Sequence, residues 1–204
     1  MSLYAIILAA GLGLRAKGKK PKSLMKVNGK EVYKYSLETF GSIKQFKRIV
    51  LVVPQTFKNK LKSIKVVNGG KTRNESFERG MKALGQLEKN DKIFVHDAAR
   101  MFLLKQDLIK LIKSKNKQGT LCYKNVKSSL GKSDLMYKNY HIQTPQFCTY
   151  EIYKKAKKNT KGKDLFTYLN LKHKSSDFII SSNKHLNFKI TYPNDLKIAE
   201  LLVK

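Results

Sequence analysis

YAIILAAGLGLR, residues 4–15, is the stretch that decides the fold: an apolar run ends abruptly in a turn that holds two glycines. Residues Ala5–Ala9 predict a buried strand, because a short apolar run bounded by glycine is typical of a strand covered on both faces. Successive amide N–H groups in such a turn form a concavity that binds anions, and Arg15 and Lys22 can add charge-assisted hydrogen bonds. The stretch therefore predicts a phosphate site, with an ordinary tight turn and solvated lysines as the alternative.

The rest of the chain alternates between short apolar runs and longer amphipathic stretches. Runs rich in Ile, Val and Phe predict further strands at Ile49–Val53, Ile93–His96, Thr120–Cys122, Phe178–Ile180 and Phe188–Ile190. Amphipathic spacing predicts helices at Val32–Phe40, Glu75–Leu84, Asp107–Lys113, Glu151–Lys157 and Asp195–Val203. This alternation is typical of an α/β fold with a mostly parallel sheet flanked by helices, in which ligands bind beyond the carboxyl ends of the strands. The segment 124–141 fits neither pattern and is expected to form an arm or a functional loop.

The charge balance is strongly basic, with 43 Lys and Arg residues against 14 Asp and Glu residues, a formal charge of +29. Such an excess favours phosphates, nucleic acids or acidic surfaces as partners. A nucleic-acid-binding protein would interleave its aromatic residues with the basic ones on one exposed surface. Here most aromatic residues fall within apolar strand or helix patterns, so nucleic acid is not expected as a partner, and a solvated basic surface is expected to account for much of the charge.

Length and composition set the remaining expectations. The 204 residues predict a single domain, residues 1–204. Cys122 and Cys148 form no metal-binding spacing and are expected to be reduced, which is typical of a cytoplasmic protein. No apolar stretch approaches the ~20 residues that a membrane helix needs, so no membrane partner is expected.

Three further segments sharpen the phosphate site. Gly69-Gly70 follows a short Val-rich run, and Thr72-Arg73-Asn74-Glu75 has the spacing of a capping box at a helix start, where backbone amides favour anions. Asp97 follows the strand Ile93–His96 and is the best candidate for a divalent-metal ligand, with a helix cap as the alternative. Lys189 lies in a predicted strand, where a lysine is unusual unless its ammonium reaches solvent or an anion.

Taken together, these segments resemble the 2-C-methyl-D-erythritol 4-phosphate cytidylyltransferases, with the ribitol-5-phosphate cytidylyltransferases as near relatives. The matching segments, in chain order, are Ala9–Arg15, Pro21-Lys22, Gly69-Gly70 with Arg73 and Ser76, Val95–Arg100, Gln143–Gln146, and Asn187–Leu196. Any one of them is a weak signal, and six in the right order are a strong one.

The resemblance implies a Rossmann-like nucleotidyltransferase fold whose β-arm, about residues 124–141, exchanges between the subunits of a homodimer. It further implies that CTP and a polyol phosphate are the substrates and that Mg²⁺ is the cofactor. The implied roles are CTP binding by Ala9, Ala10, Gly11, Gly70, Ser76 and Ala98, catalysis by Arg15, Lys22 and Lys189, metal binding by Asp97, and acceptor binding by Arg100 and Thr144. His96 is expected to be structural, because a phosphate nucleophile has no proton to remove.

The acceptor side departs from the family pattern. Asn125, Val126, Met136 and Lys163 stand where the family usually has Asp, Thr, Arg and Thr, and Met101 stands where it has proline. The expected reaction is CMP transfer to 2-C-methyl-D-erythritol 4-phosphate. Ribitol 5-phosphate or another polyol phosphate, and a homologue that binds CTP without turnover, are the alternatives.

Overall fold

The computed structural model describes residues 1–11, 21–58, 61, 63–124, 135–137, 140–158, 176–182 and 187–203. In these ranges the strands are β1 (Leu3–Leu8), β2 (Lys26–Val27), β3 (Lys30–Glu31), β4 (Phe46–Val53), β5 (Lys65–Asn68), β6 (Lys92–Asp97), β7 (Gln118–Lys124), β8 (Leu135–Tyr137), β9 (Tyr140–Thr149) and β10 (Ser176–Ile180). The helices are α1 (Val32–Gly41), α2 (Arg73–Leu84), α3 (Lys105–Lys113), α4 (Tyr150–Lys157) and α5 (Pro193–Leu202), with a 3₁₀ turn at Lys22–Leu24.

One mostly parallel sheet runs through the described chain in the order β10-β7-β9-β6-β1-β4-β5, and β8 pairs with the start of β9. β1 lies parallel to β4 on one side and to β6 on the other, and β5 continues in parallel beyond β4. β9 runs antiparallel between β6 and β7, and β10 lies parallel to β7. The predicted fold class is confirmed, and the ends of β1, β4, β5 and β6 meet at one edge, where a ligand would bind.

β1 divides the core into two halves, one on each face of the sheet. All six of its residues are buried, and successive side chains point to opposite faces. The even-numbered residues share a buried cluster with Phe77 of α2 and Tyr153 of α4. The odd-numbered residues share another with Phe40 of α1 and Leu108 of α3. The apolar run at the start of the chain is therefore a central strand that holds both layers of helices.

The predicted strand Phe188–Ile190 is wrong, because these residues are in no strand of the structure. Their apolar side chains pack instead on a third cluster: Ile190 is buried with Met101 and Ala199 of α5, and the Phe188 ring lies 5.2 Å from that of Phe102. The alternating pattern thus reflects packing against a loop and a helix. Lys189 projects from an extended segment outside the sheet.

β9 was not predicted, although it lies inside the sheet. Pro145 interrupts it, and proline cannot donate a ladder hydrogen bond, so its sequence reads as a break. The partner strand adjusts: the β7–β9 pairing shifts register between Thr120 and Cys122, close to the proline. The predicted arm at 124–141 lies largely outside the described residues, apart from the short pairing of β8 with β9.

Two further expectations concern membranes and thiols. None of the helices in the described ranges is both long and apolar enough to cross a membrane. Cys122 and Cys148 are buried and unbridged. Burial raises the pKa of the Cys122 thiol to about 12, so this side chain behaves as a small apolar core residue.

Gly80 of α2 provides a test of how tightly the helix packs on β1 and β4. A Cβ at this position would lie 2.6 Å from Ile6 Cγ2 and 3.1 Å from Val52 Cγ2, both on stiff β-branched side chains. We expect Gly80→Ala to lower the free energy of unfolding, because overpacking costs about 1–3 kcal/mol and the gain in helix propensity is at most about 1 kcal/mol. Urea denaturation measures the change.

Gly41 at the end of α1 is the matched control, because a Cβ there meets no atom within 4 Å. We expect Gly41→Ala to be neutral or stabilising. Equal stability changes in the two variants would contradict the close packing of α2 on the sheet.

Candidate active site

A cavity of about 350 Å³ opens at the carboxyl ends of β1 and β6, beside the start of α2. Its lining residues are Leu8, Ala9, Ala10, Gly11, Lys22, Ser23, Gly70, Lys71, Thr72, Arg73, Ser76, Asp97, Ala99, Lys189 and Ile190. Five separate segments of the chain contribute to this wall. The cavity lies where an open parallel sheet is expected to bind its ligand.

The turn after β1 forms one side of the cavity and is fixed from behind. The Ala9 amide donates to the Val52 carbonyl at 2.7 Å, and the Ser23 hydroxyl donates to the Ala9 carbonyl. Gly69 packs so closely that a Cβ there would lie 2.2 Å from Ala10 Cβ. By contrast, a Cβ on Gly11 would meet no protein atom within 4 Å. Gly11 therefore leaves its space to the cavity, whereas Gly69 is required by packing.

The start of α2 forms the opposite side. Thr72 Oγ1 accepts from the Glu75 amide at 3.0 Å, as the capping-box spacing predicts. The Glu75 carboxylate accepts from the Lys71 amide at 2.8 Å, one residue before the position that a standard capping box would use. The Gly70 amide donates to Ser76 Oγ at 3.1 Å. These bonds fix a loop that presents a helix N-terminus, with its partial positive charge, to the cavity.

Asp97, the last residue of β6, lies between two cations on the cavity wall. Its Oδ1 accepts from Arg73 Nε at 3.0 Å, and its Oδ2 accepts from Lys189 Nζ at 2.7 Å. Burial alone would raise the pKa of the Asp97 carboxyl, but the charges of Arg73 and Lys189 hold that pKa well below its usual value. Asp97 is therefore an anion at neutral pH and can ligate a metal ion.

Lys22 is another cation on the wall, and it is held by the segment before α5. Its ammonium donates to the Thr191 carbonyl. Thr191 follows closely on Lys189, so Lys22 and Lys189 are brought together although they are far apart in the sequence. Both residues line the same cavity.

Behind Asp97 lies a buried polar cluster that does not line the cavity. His96 is fully buried; its Nε2 lies 3.1 Å from the Arg100 carbonyl, and its Nδ1 lies 3.1 Å from Thr144 Oγ1. Burial lowers the pKa of His96 to about 4, so the imidazole is neutral. Arg100 Nη1 donates to the Asn187 carbonyl at 3.1 Å, and Asn187 Nδ2 donates to the Thr144 carbonyl at 3.0 Å.

Most residues expected in the site meet at the cavity. Those that line it are Ala9, Ala10, Gly11, Lys22, Gly70, Ser76, Asp97 and Lys189. Ala98, Arg100 and Thr144 are buried behind the wall, and Arg15 lies outside the described residues. Thr72 and Arg73 also line the wall, at the helix start that the sequence analysis singled out as favourable to anions. The wall residues to which sequence reasoning assigned no ligand-binding role are Leu8, Ser23, Lys71, Ala99 and Ile190.

The residues that differ from the family pattern on the acceptor side fall into two groups. Met101 is 4% exposed and packs in the cluster with Val27, Ile190 and Ala199, so this substitution belongs to the core. Asn125, Val126 and Lys163 lie outside the described residues, and Met136 is in β8.

The residues present fit a divalent cation that is shared with a phosphate. Within the described ranges, no three His, Cys, Asp or Glu residues are grouped to hold a metal by themselves. Mg²⁺ is commonly bound by one or two carboxylates together with substrate phosphates and water. Asp97, an ionised carboxylate on a cavity wall that also carries cationic side chains, matches that donor set.

Comparison with known proteins agrees with this geometry. A family model for 2-C-methyl-D-erythritol 4-phosphate cytidylyltransferase (IspD) matches residues 3–204. The enzyme of that name from Endomicrobium trichonymphae is 33% identical over the full length of both chains, and that from Thermotoga neapolitana is 30% identical over 98% of this chain and 96% of its own. The crystal structure of the Francisella tularensis enzyme superposes with a TM-score of 0.76 at 26% identity, covering both chains completely. On this match over nearly its whole length, the chain belongs to the 2-C-methyl-D-erythritol 4-phosphate cytidylyltransferase family.

Proposed function

We propose that this protein transfers CMP from CTP to 2-C-methyl-D-erythritol 4-phosphate and releases pyrophosphate, a step of isoprenoid precursor synthesis. The observation that carries the proposal is the convergence of Lys22, Arg73 and Lys189 on one cavity beside a helix N-terminus. Such a wall suits a triphosphate, because three cations and oriented amides match its charge. The family match supplies the nucleotide and the acceptor.

The reaction needs no covalent intermediate on the protein. An oxygen of the acceptor's phosphate attacks the α-phosphorus of CTP in line and forms a new P–O bond. The bond from the α-phosphorus to the bridging oxygen breaks, and pyrophosphate leaves with that electron pair. The attacking oxygen is already ionised at neutral pH, so no general base is required. The burial of neutral His96 behind the wall supports its assignment to a structural role.

The protein's task is to position the substrates and to stabilise charge. Lys22 and Lys189, with Arg15, are proposed to neutralise the phosphate oxygens that gain charge during attack. Ala9, Ala10, Gly11, Gly70 and Ser76 are proposed to hold the cytidine part, and Ala98 supports them from the core. Asp97 would hold Mg²⁺, and the ion when bound would supply positive charge to the phosphates. Arg100 and Thr144 are proposed to act on the acceptor side.

Three broader features remain proposals. The single-domain organisation is supported by a family match that spans residues 3–204. Homodimer formation through the arm at 124–141 rests on the resemblance stated above. A cytoplasmic location rests on the composition, in particular on the two unpaired cysteines.

The direct test is pyrophosphate release from CTP and Mg²⁺ with a panel of acceptors. We expect turnover with 2-C-methyl-D-erythritol 4-phosphate, and a lower kcat/KM with ribitol 5-phosphate or erythritol 4-phosphate. Preference for another acceptor would reassign the substrate within the class. Tight CTP binding without turnover on any acceptor would identify a CTP-binding homologue, and salt-sensitive oligonucleotide binding without CTP binding would contradict the whole assignment.

Gly11→Val tests the nucleotide side. A Cβ on Gly11 would meet no protein atom within 4 Å, so we expect the variant to fold normally. The added side chain does enter the cavity, so we expect CTP binding, measured by isothermal titration calorimetry, to be abolished. Gly41→Val is the matched control: a Cβ on Gly41 also meets no atom within 4 Å, but Gly41 lies at the end of α1 and does not line the cavity. A folded Gly11→Val protein with normal CTP affinity would remove the turn from the nucleotide site.

Lys189→Met separates a catalytic role from a surface role. Losing a contact made mainly in the transition state lowers kcat and kcat/KM together, and we expect a fall of about 10²–10³-fold. Arg73 still pairs with Asp97 in this variant, so we expect a stability loss of about 1–3 kcal/mol, below the cost of leaving a buried charge wholly unpaired. Steady-state kinetics and a melting curve measure both effects.

Lys197→Met, on the exposed surface of α5, is the control and should leave both quantities unchanged. If Lys189→Met were as active as the wild type, Lys189 would have no part in phosphate binding.

A further inference from the structure

The hydrogen bonds of His96 determine which of its ring nitrogens carries the proton. Nε2 faces two groups: the Arg100 carbonyl at 3.1 Å, which can only accept, and Ser36 Oγ at 3.2 Å, a hydroxyl that can accept as well as donate. Nε2 must therefore be protonated, and in a neutral imidazole Nδ1 is then an acceptor. The group facing Nδ1 is Thr144 Oγ1, at 3.1 Å. The Thr144 hydroxyl consequently donates its proton to His96.

The same hydroxyl has a second partner on the metal side. Thr144 Oγ1 accepts from the backbone amide of Asp97 at 3.0 Å. Since its single proton is committed to His96, Thr144 can offer the acceptor substrate only a lone pair. A continuous series of hydrogen bonds therefore runs from the Arg100 carbonyl through His96 and Thr144 to the Asp97 backbone amide.

This series of hydrogen bonds holds the Asp97 backbone from the core side, while Arg73 and Lys189 bind its carboxylate from the cavity side. Thr144 is itself anchored, because Asn187 Nδ2 donates to its carbonyl at 3.0 Å. Every residue in this series of hydrogen bonds is buried: Thr144 is 5% exposed, and His96 and Asn187 are fully buried. The hydrogen bonds are therefore shielded from water, which makes them stronger and more directional than bonds at the surface.

We propose that His96 and Thr144 are positioning residues for the metal ligand Asp97, with the Nε2–H tautomer of His96 setting the direction of the Thr144 hydroxyl. The inference deepens the proposed function and rests on it. Groups that orient a ligand from behind commonly change metal affinity about 10–100-fold when they are removed. Neither residue needs to touch CTP or the acceptor to have this effect.

The first experiment tests the tautomer itself. Long-range ¹H–¹⁵N NMR correlations of the wild-type protein distinguish protonated from unprotonated ring nitrogens, and His96→Leu identifies the His96 signals among the four histidines. We expect an unprotonated Nδ1 and a protonated Nε2 with slow solvent exchange. A protonated Nδ1 would overturn the proposal, because the Thr144 hydroxyl would then have to accept from His96.

The second experiment measures metal binding without turnover. Mn²⁺ binding to the protein in the presence of CTP is followed by electron paramagnetic resonance for the wild type and for Thr144→Val, Thr144→Ser, His96→Leu and the double variant of His96→Leu with Thr144→Val. We expect Thr144→Val and His96→Leu each to weaken Mn²⁺ binding about 10–100-fold, and the double variant to be no weaker, because both act through one path. Thr144→Ser, which keeps the hydroxyl, should restore the affinity.

Ser36→Ala is the matched control for folding. Ser36 Oγ, on α1, also lies close to His96 Nε2, at 3.2 Å, but it is not part of the path from His96 through Thr144 to the Asp97 amide. Its loss should lower the melting temperature without changing Mn²⁺ affinity. Wild-type Mn²⁺ affinity in Thr144→Val would overturn the positioning role alone. Failure of the wild-type protein to bind Mn²⁺ with CTP would overturn the proposed function and the positioning role together.

Discussion

The carboxylate of Asp97 is the constraint on which the active-site structure depends. Three parts of the chain meet at it: β6 supplies the carboxylate, α2 supplies Arg73, and the segment before α5 supplies Lys189. An anion in so buried a position is stable only when it is paired, and here each of its two oxygens has its own cation. The positions of Arg73 and Lys189 on the cavity wall follow from this pairing.

The neighbouring elements show how such a charge is accommodated. The parallel strands β1, β4 and β6 bring their carboxyl ends together, and the helix packing on both faces makes the sheet rigid. The antiparallel strand β9 brings Thr144 beside the end of β6, where its hydroxyl accepts from the Asp97 amide. The sheet is therefore antiparallel at the β6–β9 pair, beside the buried polar cluster, and parallel at β4, β1 and β6, where the cavity opens.

Sequence alone was sufficient for the features that are local. The apolar run of β1, the cap at Thr72 and the acid at the end of β6 are each readable within a few residues. β9 was missed because Pro145 and its polar neighbours conceal a buried strand, and Phe188–Ile190 was assigned to a strand because loop packing produced the same alternation. The cluster of His96, Thr144 and Asn187 has no local signal, since its members lie on three distant segments and are joined only by the fold.

The contact between Lys189 and Asp97 joins residues 92 positions apart, and it is made by a segment near the end of the chain. During synthesis the sheet strands β1 to β9 leave the ribosome first, so the central core can form before Lys189 has been translated. The segment that carries Lys189 packs on the small cluster of Val27, Met101, Ile190 and Ala199, which is separate from the two main halves of the core. Hydrogen bonds from Lys22 and Arg100 to its carbonyl groups also hold it. Detachment of this segment would therefore remove two of the cavity's groups, Lys189 and Ile190, while leaving the sheet folded. Local opening of this segment would separate the Lys189 ammonium from Asp97 at a lower free energy than unfolding of the sheet, because such units can open below the global free energy of unfolding.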